Sequence, residues 1–382
     1  MKKKQLFSLF LCSLVPWVLG NGLLPLLPVY ASRVGAGTES IGYYLSISYF
    51  ALALGTLAAG WLSDKLQQRK KTLIIGGVMV LPSVWFMGQV TNTWQLTLLT
   101  AVVWFLGGGI LTLIMILAGI FAEKKERGKV FGILALTGAL GAVIGGATIG
   151  SIADRWGYPT LFTSLALFSC LLPLTGLLLE DKSVQQHSKE SSQNAGSVLR
   201  SGFYLVIIAS ILASIILFIG RMGTSVAMNQ LKFLSAEITS TAAIGGLISL
   251  PLSPLAGWLS DRISRKLLLG ICFFAGACGM VTLAISISLW HFWTAASLLY
   301  IQSIVGTGIG SALITDLVPT ELLGRGLSVY NSTGWIGGII GFAISGVAIE
   351  NFGISLTFMV GAFIVLIAII LLIPVQYHRS FT

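Results

Sequence analysis

Twelve apolar stretches, each near the roughly 20 residues that a helix needs to cross a bilayer, leave this chain very little choice of structure. They fall at about 6–30, 41–63, 72–90, 94–121, 130–153, 159–179, 203–231, 238–260, 267–289, 291–316, 326–349 and 354–375. In hydrocarbon every backbone N–H and C=O must be paired inside the membrane, so a spanning segment is either a helix or a strand of a closed barrel. None of the stretches alternates with the period of two that a barrel strand requires, and all twelve are predicted to be helices. Composition agrees: 55% of the residues are hydrophobic and 9% charged, with a mean hydropathy of +0.92, as expected of a chain living mostly in lipid.

The twelve divide into two sets of six. Gly60-Trp61-Leu62-Ser63-Asp64, followed by Lys65 and a basic run, returns 197 positions later as Gly257-Trp258-Leu259-Ser260-Asp261, followed by Arg262 and a second basic run. Arg127-Gly128 matches Arg325-Gly326, and Trp156-Gly157 matches Phe352-Gly353, at nearly the same offset. Duplication within an apolar chain is the layout of secondary transporters, which bind substrate between their repeats. We expect an N-terminal six-helix bundle over 1–179, a cytoplasmic linker over 180–202 rich in Ser, Gln, Lys and Glu, and a C-terminal bundle over 203–382.

Of the 23 Lys and Arg residues, 19 lie in one set of alternate loops or at the termini, while the opposite loops hold only Arg33, Arg155 and Lys232. The positive-inside rule then predicts a multi-pass protein of the plasma (cytoplasmic) membrane with both termini in the cytoplasm. The net charge of +10 is on this reading a topology signal, and the expected partners are a small-molecule substrate and the lipid bilayer, with no nucleic acid and the protein a monomer. Lys2-Lys3-Lys4 before an apolar run resembles a signal peptide, but the run is longer than a typical h-region, so it is expected to stay as the first span. Cys12, Cys170, Cys272 and Cys278 fall inside spans and are expected to be small apolar side chains, with no metal or other cofactor. His187, His291 and His378 have no partner at metal or dyad spacing, and neither His-Glu-x-x-His, Gly-x-Ser-x-Gly nor a phosphate-binding loop occurs, so no enzyme activity is expected.

One charge stands clear of the span ends. A charge in a span costs roughly 2.5–3.5 kcal/mol even on insertion scales and is a functional hypothesis by default; here it is Arg221. Leu217, Thr224, Ser225 and Met228 share its helical face at spacings of three, four and seven, a half-polar stripe expected to face a central cavity. All 13 acidic residues lie in loops or at span ends, Asp316 being nearest to the membrane interior, which favours a neutral, amphiphilic or anionic substrate over a lipophilic cation. Trp17, Asn21, Pro25 and Pro28 form a stripe on span 1, with Tyr49 in span 2, Trp104 in span 4 and Gln302 in span 10. Asn21 and Gln302 also suit interhelical hydrogen bonds, and Tyr49 and Trp104 suit packing. The expected substrate contacts are Asn21, Pro25, Tyr49, Trp104, Arg221, Ser225, Met228 and Gln302. Glycines cluster in spans 5 and 11, where they serve close packing or a seam on which the halves rock.

The loop Gly60 to Lys70 and its copy Gly257 to Lys266 resemble the signature of the major facilitator superfamily, Gly-x-Leu-x-Asp followed by basic residues, and the resemblance runs over essentially the whole chain. Gln67 and Ser264 stand where the family has a second glycine. Leu19-Gly20-Asn21-Gly22-Leu23-Leu24-Pro25-Leu26-Leu27-Pro28 resembles the first-helix pattern of the drug:proton antiporter branch, as does Gly141-Ala142-Val143-Ile144-Gly145-Gly146, with Ala142 in place of the branch's proline. The branch's helix-4 arginine is replaced by Val103 or Trp104.

This resemblance implies an all-α integral membrane protein, twelve transmembrane helices in two pseudo-symmetric six-helix bundles, moving a small molecule by alternating access. It further implies efflux of drug-like or amphiphilic compounds coupled to protons, with Glu123 and Asp316 as the first candidates to carry the proton. Gating falls to Gly60, Asp64, Arg69, Arg127, Gly257, Asp261, Arg265 and Arg325, with Asp64 near span 11 and Asp261 near span 5 in the outward-open state. The physics is that of an anion on the N-terminus of a helix, worth about 0.3–1 kcal/mol. Import or uniport of an organic anion, sugar or metabolite is the alternative within transport, and a non-transporting membrane sensor the alternative outside it.

Overall fold

The computed structural model describes residues 2–66, 68–123, 126–180, 201–319 and 322–375, with the side chains at 64, 66, 127, 128 and 201 outside the described set. Most of the expected linker, with His187, and the tail with His378 also lie outside it. Among the described residues every regular element is helical. Span 1 comprises Lys3–Trp17, a π-helical turn Val18–Gly22 and Leu27–Arg33; spans 2, 3 and 4 are Thr38–Leu66, Arg69–Met87 and Thr93–Phe121. Spans 5 and 6 run together as Arg127–Ser169 and end in Leu171–Leu177. Spans 7, 8 and 9 are Ser201–Gln230, Ser235–Ser260 and Arg265–Ala284. Span 10 is Leu289–Tyr300, a second π turn Ile301–Val305 and Gly306–Leu317, followed by span 11, Leu323–Phe352, and span 12, Ile354–Leu372.

The merged helix of spans 5 and 6 is broken at Gly157, where φ is 78° and ψ 170°. Gly353, its repeat mate between spans 11 and 12, has φ 79° and ψ 168°. Only glycine takes such a conformation without strain, so the repeated Trp-Gly and Phe-Gly pairs are the same turn built twice.

Lipid gives helices no hydrophobic reason to associate, so close contact rests on shape. A Cβ on Gly55 would strike the Phe105 carbonyl and one on Gly108 the Leu52 carbonyl, which seats span 2 on span 4. Gly337 and Gly341 seat span 11 on Ser214 and Ile215 of span 7 in the same way. The expected glycine seam divides by register. Gly138, Gly141 and Gly145 face span 1 of their own half, whereas Gly146 and Gly150 face span 8, and Gly338 and Gly346 face span 2, across the interface.

The halves meet along two main seams, span 5 on span 8 and span 2 on span 11. Gly42 lies against the Phe342 carbonyl, and Ser46 Oγ donates to the Ile339 carbonyl at 2.7 Å. Both seams lie away from the basic loops and run inward as far as Ala139 against Gly246 and Tyr49 against Gly338. Toward the basic loops, a Cβ added to Gly60, Gly132, Gly257 or Gly324 would meet nothing within 4 Å. Among the described residues the cleft between the halves is closed at one face, and toward the other no glycine of spans 2, 5, 8 or 11 meets the opposite half, which leaves that face open.

Candidate substrate cavity and its gates

Helical spacing puts Arg221, Thr224 and Ser225 on one face of span 7, and that face borders a recess of about 410 Å³ between the halves. Asn21, Leu24 and Pro25 of span 1 form the opposing wall, and Thr241 of span 8 with Leu299 and Tyr300 of span 10 complete it. Two walls depart from regular α-helix here. The π turn of span 1 carries Asn21, whose Nδ2 donates to the Gly138 carbonyl at 3.0 Å, and the chain turns through Leu24 to Leu26 before helix resumes at Leu27, next to the missing donor of Pro25. The π turn of span 10 carries Gln302 and Ser303. Such turns aim side chains that a regular helix would point elsewhere.

Arg221 Nη2 donates to Ser303 Oγ at 3.0 Å. Its guanidinium carbon lies 5.4 Å from the centre of the Phe218 ring and 5.2 Å from that of Tyr300, within cation–π range, and the Tyr49 hydroxyl is close by. Nε is buried and has no hydrogen-bond partner. Beneath the cation, Tyr49 packs on Trp104 of its own half at 4.9 Å and on Phe218 and Phe342 of the other half at 4.8 and 5.0 Å between centroids. A second recess, about 430 Å³ and inside the C-terminal half, is edged by Ser210, Gln302, Ser303, Thr307, Tyr330 and Asn331. Ser303 borders this recess and holds the arginine of the first.

Of the residues expected to contact substrate, Asn21, Pro25, Arg221 and Ser225 share the first recess. Gln302 borders the second, its Nε2 donating to the Ala213 carbonyl at 2.8 Å. Tyr49 and Trp104 are buried in the aromatic cluster, and Met228 is fully buried off both recess walls. Thr224, expected on the cavity face of span 7, lines the first recess; Tyr300, Thr241 and Leu24 of that recess and Ser303 of the second were not foreseen.

The residues expected to gate are spread around the open face. Asp64 and Arg127 have side chains outside the described set. Arg69 is buried, its Nε donating to Ser63 Oγ at 2.8 Å. Arg265 Nη1 donates to Asp316 Oδ1 at 2.8 Å and to the Ala312 carbonyl at 2.8 Å, tying span 9 to span 10. Glu123 and Arg325 are exposed. The closed face holds a contact the sequence did not announce: Asp154, at the end of span 5, accepts from Ser235 N at 3.1 Å and from Ala236 N at 2.8 Å. It thus caps the N-terminus of span 8 across the interface, satisfying donors that a helix start leaves unpaired.

Two six-helix bundles around a central cavity, meeting on spans 2, 5, 8 and 11, are the architecture of a secondary transporter. The chain belongs to the Major Facilitator Superfamily, whose family model matches residues 7–311 and again 212–380. It is accordingly a multi-pass membrane transporter of small molecules and not an enzyme. It is 28% identical over 370 residues to the "Multidrug resistance protein MdtG" of Klebsiella pneumoniae (strain 342), covering 90% of this chain and 86% of that protein. It is 25% identical over 370 residues to the "Uncharacterized MFS-type transporter YuxJ" of Bacillus subtilis (strain 168), covering 90% and 91%. Among solved structures, the nucleoside transporter NupG superposes with a TM-score of 0.78 at 16% identity, covering 99% of this chain and 100% of that one. A peptide transporter POT in complex with sulfate superposes with a TM-score of 0.77 at 12% identity, covering 97% and 93%. At these identities the two structures speak to the fold alone.

Proposed function

We propose that this transporter exports drug-like amphiphilic compounds, loading them at the cytoplasmic face and drawing energy from the proton gradient. The observation that carries the proposal is a mostly apolar and aromatic cavity, sealed on one side and open on the face with the basic loops. By the positive-inside rule that face is cytoplasmic, so the empty carrier offers its site to compounds inside the cell. Apolar and aromatic walls bind diverse amphiphiles by contact area, with few polar groups fixing orientation. The relatives named for multidrug resistance and the first-helix pattern support the same direction. Of the two carboxylates expected to carry the proton, Asp316 lies between spans with one buried oxygen unpartnered, and Glu123 is exposed; Asp316 is the better placed. In inside-out vesicles, an imposed pH gradient is expected to drive uptake of several unrelated amphiphilic dyes, and collapsing the gradient to abolish it. Gradient-independent downhill movement of a single metabolite would favour the uniporter alternative instead.

A further inference from the structure

We infer, on the transport reading above, that the substrate is an amphiphilic anion: an aromatic or otherwise apolar body bearing one carboxylate or sulfonate, held by Arg221 and Ser303. A cation within a span is ordinarily neutralised by a carboxylate or coordinated by carbonyls. Neither recess is lined by Asp or Glu. The guanidinium has instead two neutral hydroxyls, those of Ser303 and Tyr49, and two ring faces, and its buried Nε is unpartnered. A buried charged donor without an acceptor is costly to the empty protein, and an anionic ligand removes that cost.

Ser303 supplies a second donor. Its oxygen accepts from Arg221, which leaves its own proton free, whereas the hydroxyls of Thr224 and Thr307 donate to the carbonyls of Gly220 and Ser303. A guanidinium N–H and a hydroxyl at the same junction suit two oxygens of one anionic group. Tyr300, already on the guanidinium, and Leu24 and Leu299 beside it on the wall of the first recess are placed to take an apolar body next to that group. A cationic ligand about 6 Å from the guanidinium is disfavoured by roughly a hundredfold at an effective permittivity of about 20. The mouth of the cavity lies on the face where the described span ends carry Lys65, Lys70, Lys129, Arg262, Lys266 and Arg325, which raises the local concentration of an anion.

The test uses one ring system with three charges: 2-naphthoate, 2-naphthylmethanol and 2-naphthylmethylammonium, titrated calorimetrically into the full-length protein in nanodiscs. Naphthoate is expected to bind at least about tenfold more tightly than the alcohol, with the ammonium weakest. Arg221→Gln should bring naphthoate and alcohol within about twofold while the alcohol's own affinity is retained, and Arg221→Lys should keep part of the preference. Wild type binding the alcohol or the ammonium as tightly as naphthoate, failing to bind naphthoate at millimolar concentration, or an intact preference in Arg221→Gln overturns the inference. The wild-type comparison decides even where a variant does not fold. Counterflow of the same compounds in proteoliposomes separates the two readings. Naphthoate bound but never moved contradicts the transport reading and leaves the anion site standing, whereas faster counterflow of the ammonium removes the anion site and leaves transport standing.

Discussion

At the closed face a carboxylate from one half, Asp154 of span 5, sits on the N-terminus of span 8 with bonds of 3.1 and 2.8 Å. At the open face Asp261, at the other end of span 8, is 71% exposed and lies 3.7 Å from Arg265, four residues on in its own half. The same two helices are thus tied by two described bonds at one end, while at the other the described ion pair of Asp261 is with its own half. The loop resemblance implies that Asp261 would sit against the start of span 5 when the molecule opens the other way. On this reading spans 5 and 8 exchange one cap for another, each carboxylate meeting the helix N-terminus of the opposite half. The free energy of each cap sets the balance between the states without adding a static lock.

The strongest way to break the comparison is steric. A Cβ on Gly150 would strike the carbonyl and hydroxyl of Ser235 and Thr239 on span 8. Overpacking of that kind costs about 1–3 kcal/mol, and here it falls on one state only. Gly150→Leu is expected to shift the population away from this state by about tenfold or more. The readout is faster labelling by an external, membrane-impermeant maleimide of a cysteine at position 241, on the cavity wall, in a background free of other cysteines. Gly55→Leu is the contrast, since its clash with Phe105 lies inside one half and should lower the yield of folded protein instead.

Removing the cap is next. Asp154→Ala deletes both acceptors at the start of span 8, a loss of about 0.5–2 kcal/mol by comparison with other N-caps. Labelling at position 241 should rise severalfold, and less in Asp154→Asn, which keeps one acceptor oxygen. Unchanged labelling in both variants would falsify the cap as part of the seal.

Asp261→Asn should act with the opposite sign. It weakens the cap expected in the outward-open state by about 0.3–1 kcal/mol, so external labelling at position 241 should slow by a few fold. A rise in labelling would show that Asp261 serves the present state instead.

These contrasts also mark what the sequence could disclose. The spans were legible because backbone pairing in lipid permits one solution for such stretches, and the repeat because Gly60 to Asp64 is copied almost unchanged. Arg221 declared the cavity face of span 7, and its neighbour Ser225 followed one turn later. Met228 lies on the same face but about 10 Å further along the axis, and there the helix has passed from cavity wall to packed interior. Periodicity gives a face and not a depth. Asp154 was illegible for a different reason: its partners are backbone N–H groups 81 and 82 residues away, and a helix start carries no side-chain signature of the anion it will hold. The π turn that brings Ser303 to Arg221 lies in an apolar run that reads as unbroken helix. Even the glycines needed coordinates, since Gly145 and Gly146 are adjacent yet face different halves of the molecule.

The smallest expected effect sharpens the comparison most finely. Glu350 is the repeat mate of Asp154, at the end of span 11 and across from the start of span 2, and both are exposed. On that seam the close approach is made by backbone, with Gly346 against the carbonyls of Thr38 and Glu39. Spans 2 and 8 each carry a glutamate in the first turn, Glu39 and Glu237, so what separates the seams is the pair of backbone N–H groups that Asp154 holds and that have no described counterpart at Glu350. Glu350→Gln should therefore change labelling at position 241 by less than about twofold, within the roughly 0.5 kcal/mol of an ordinary surface substitution. An effect as large as that of Asp154→Ala would mean that both seams are capped alike and that the asymmetry lies elsewhere. A negligible effect would leave the span 5 and span 8 pair as the switching seam, with spans 2 and 11 as the hinge on which it turns.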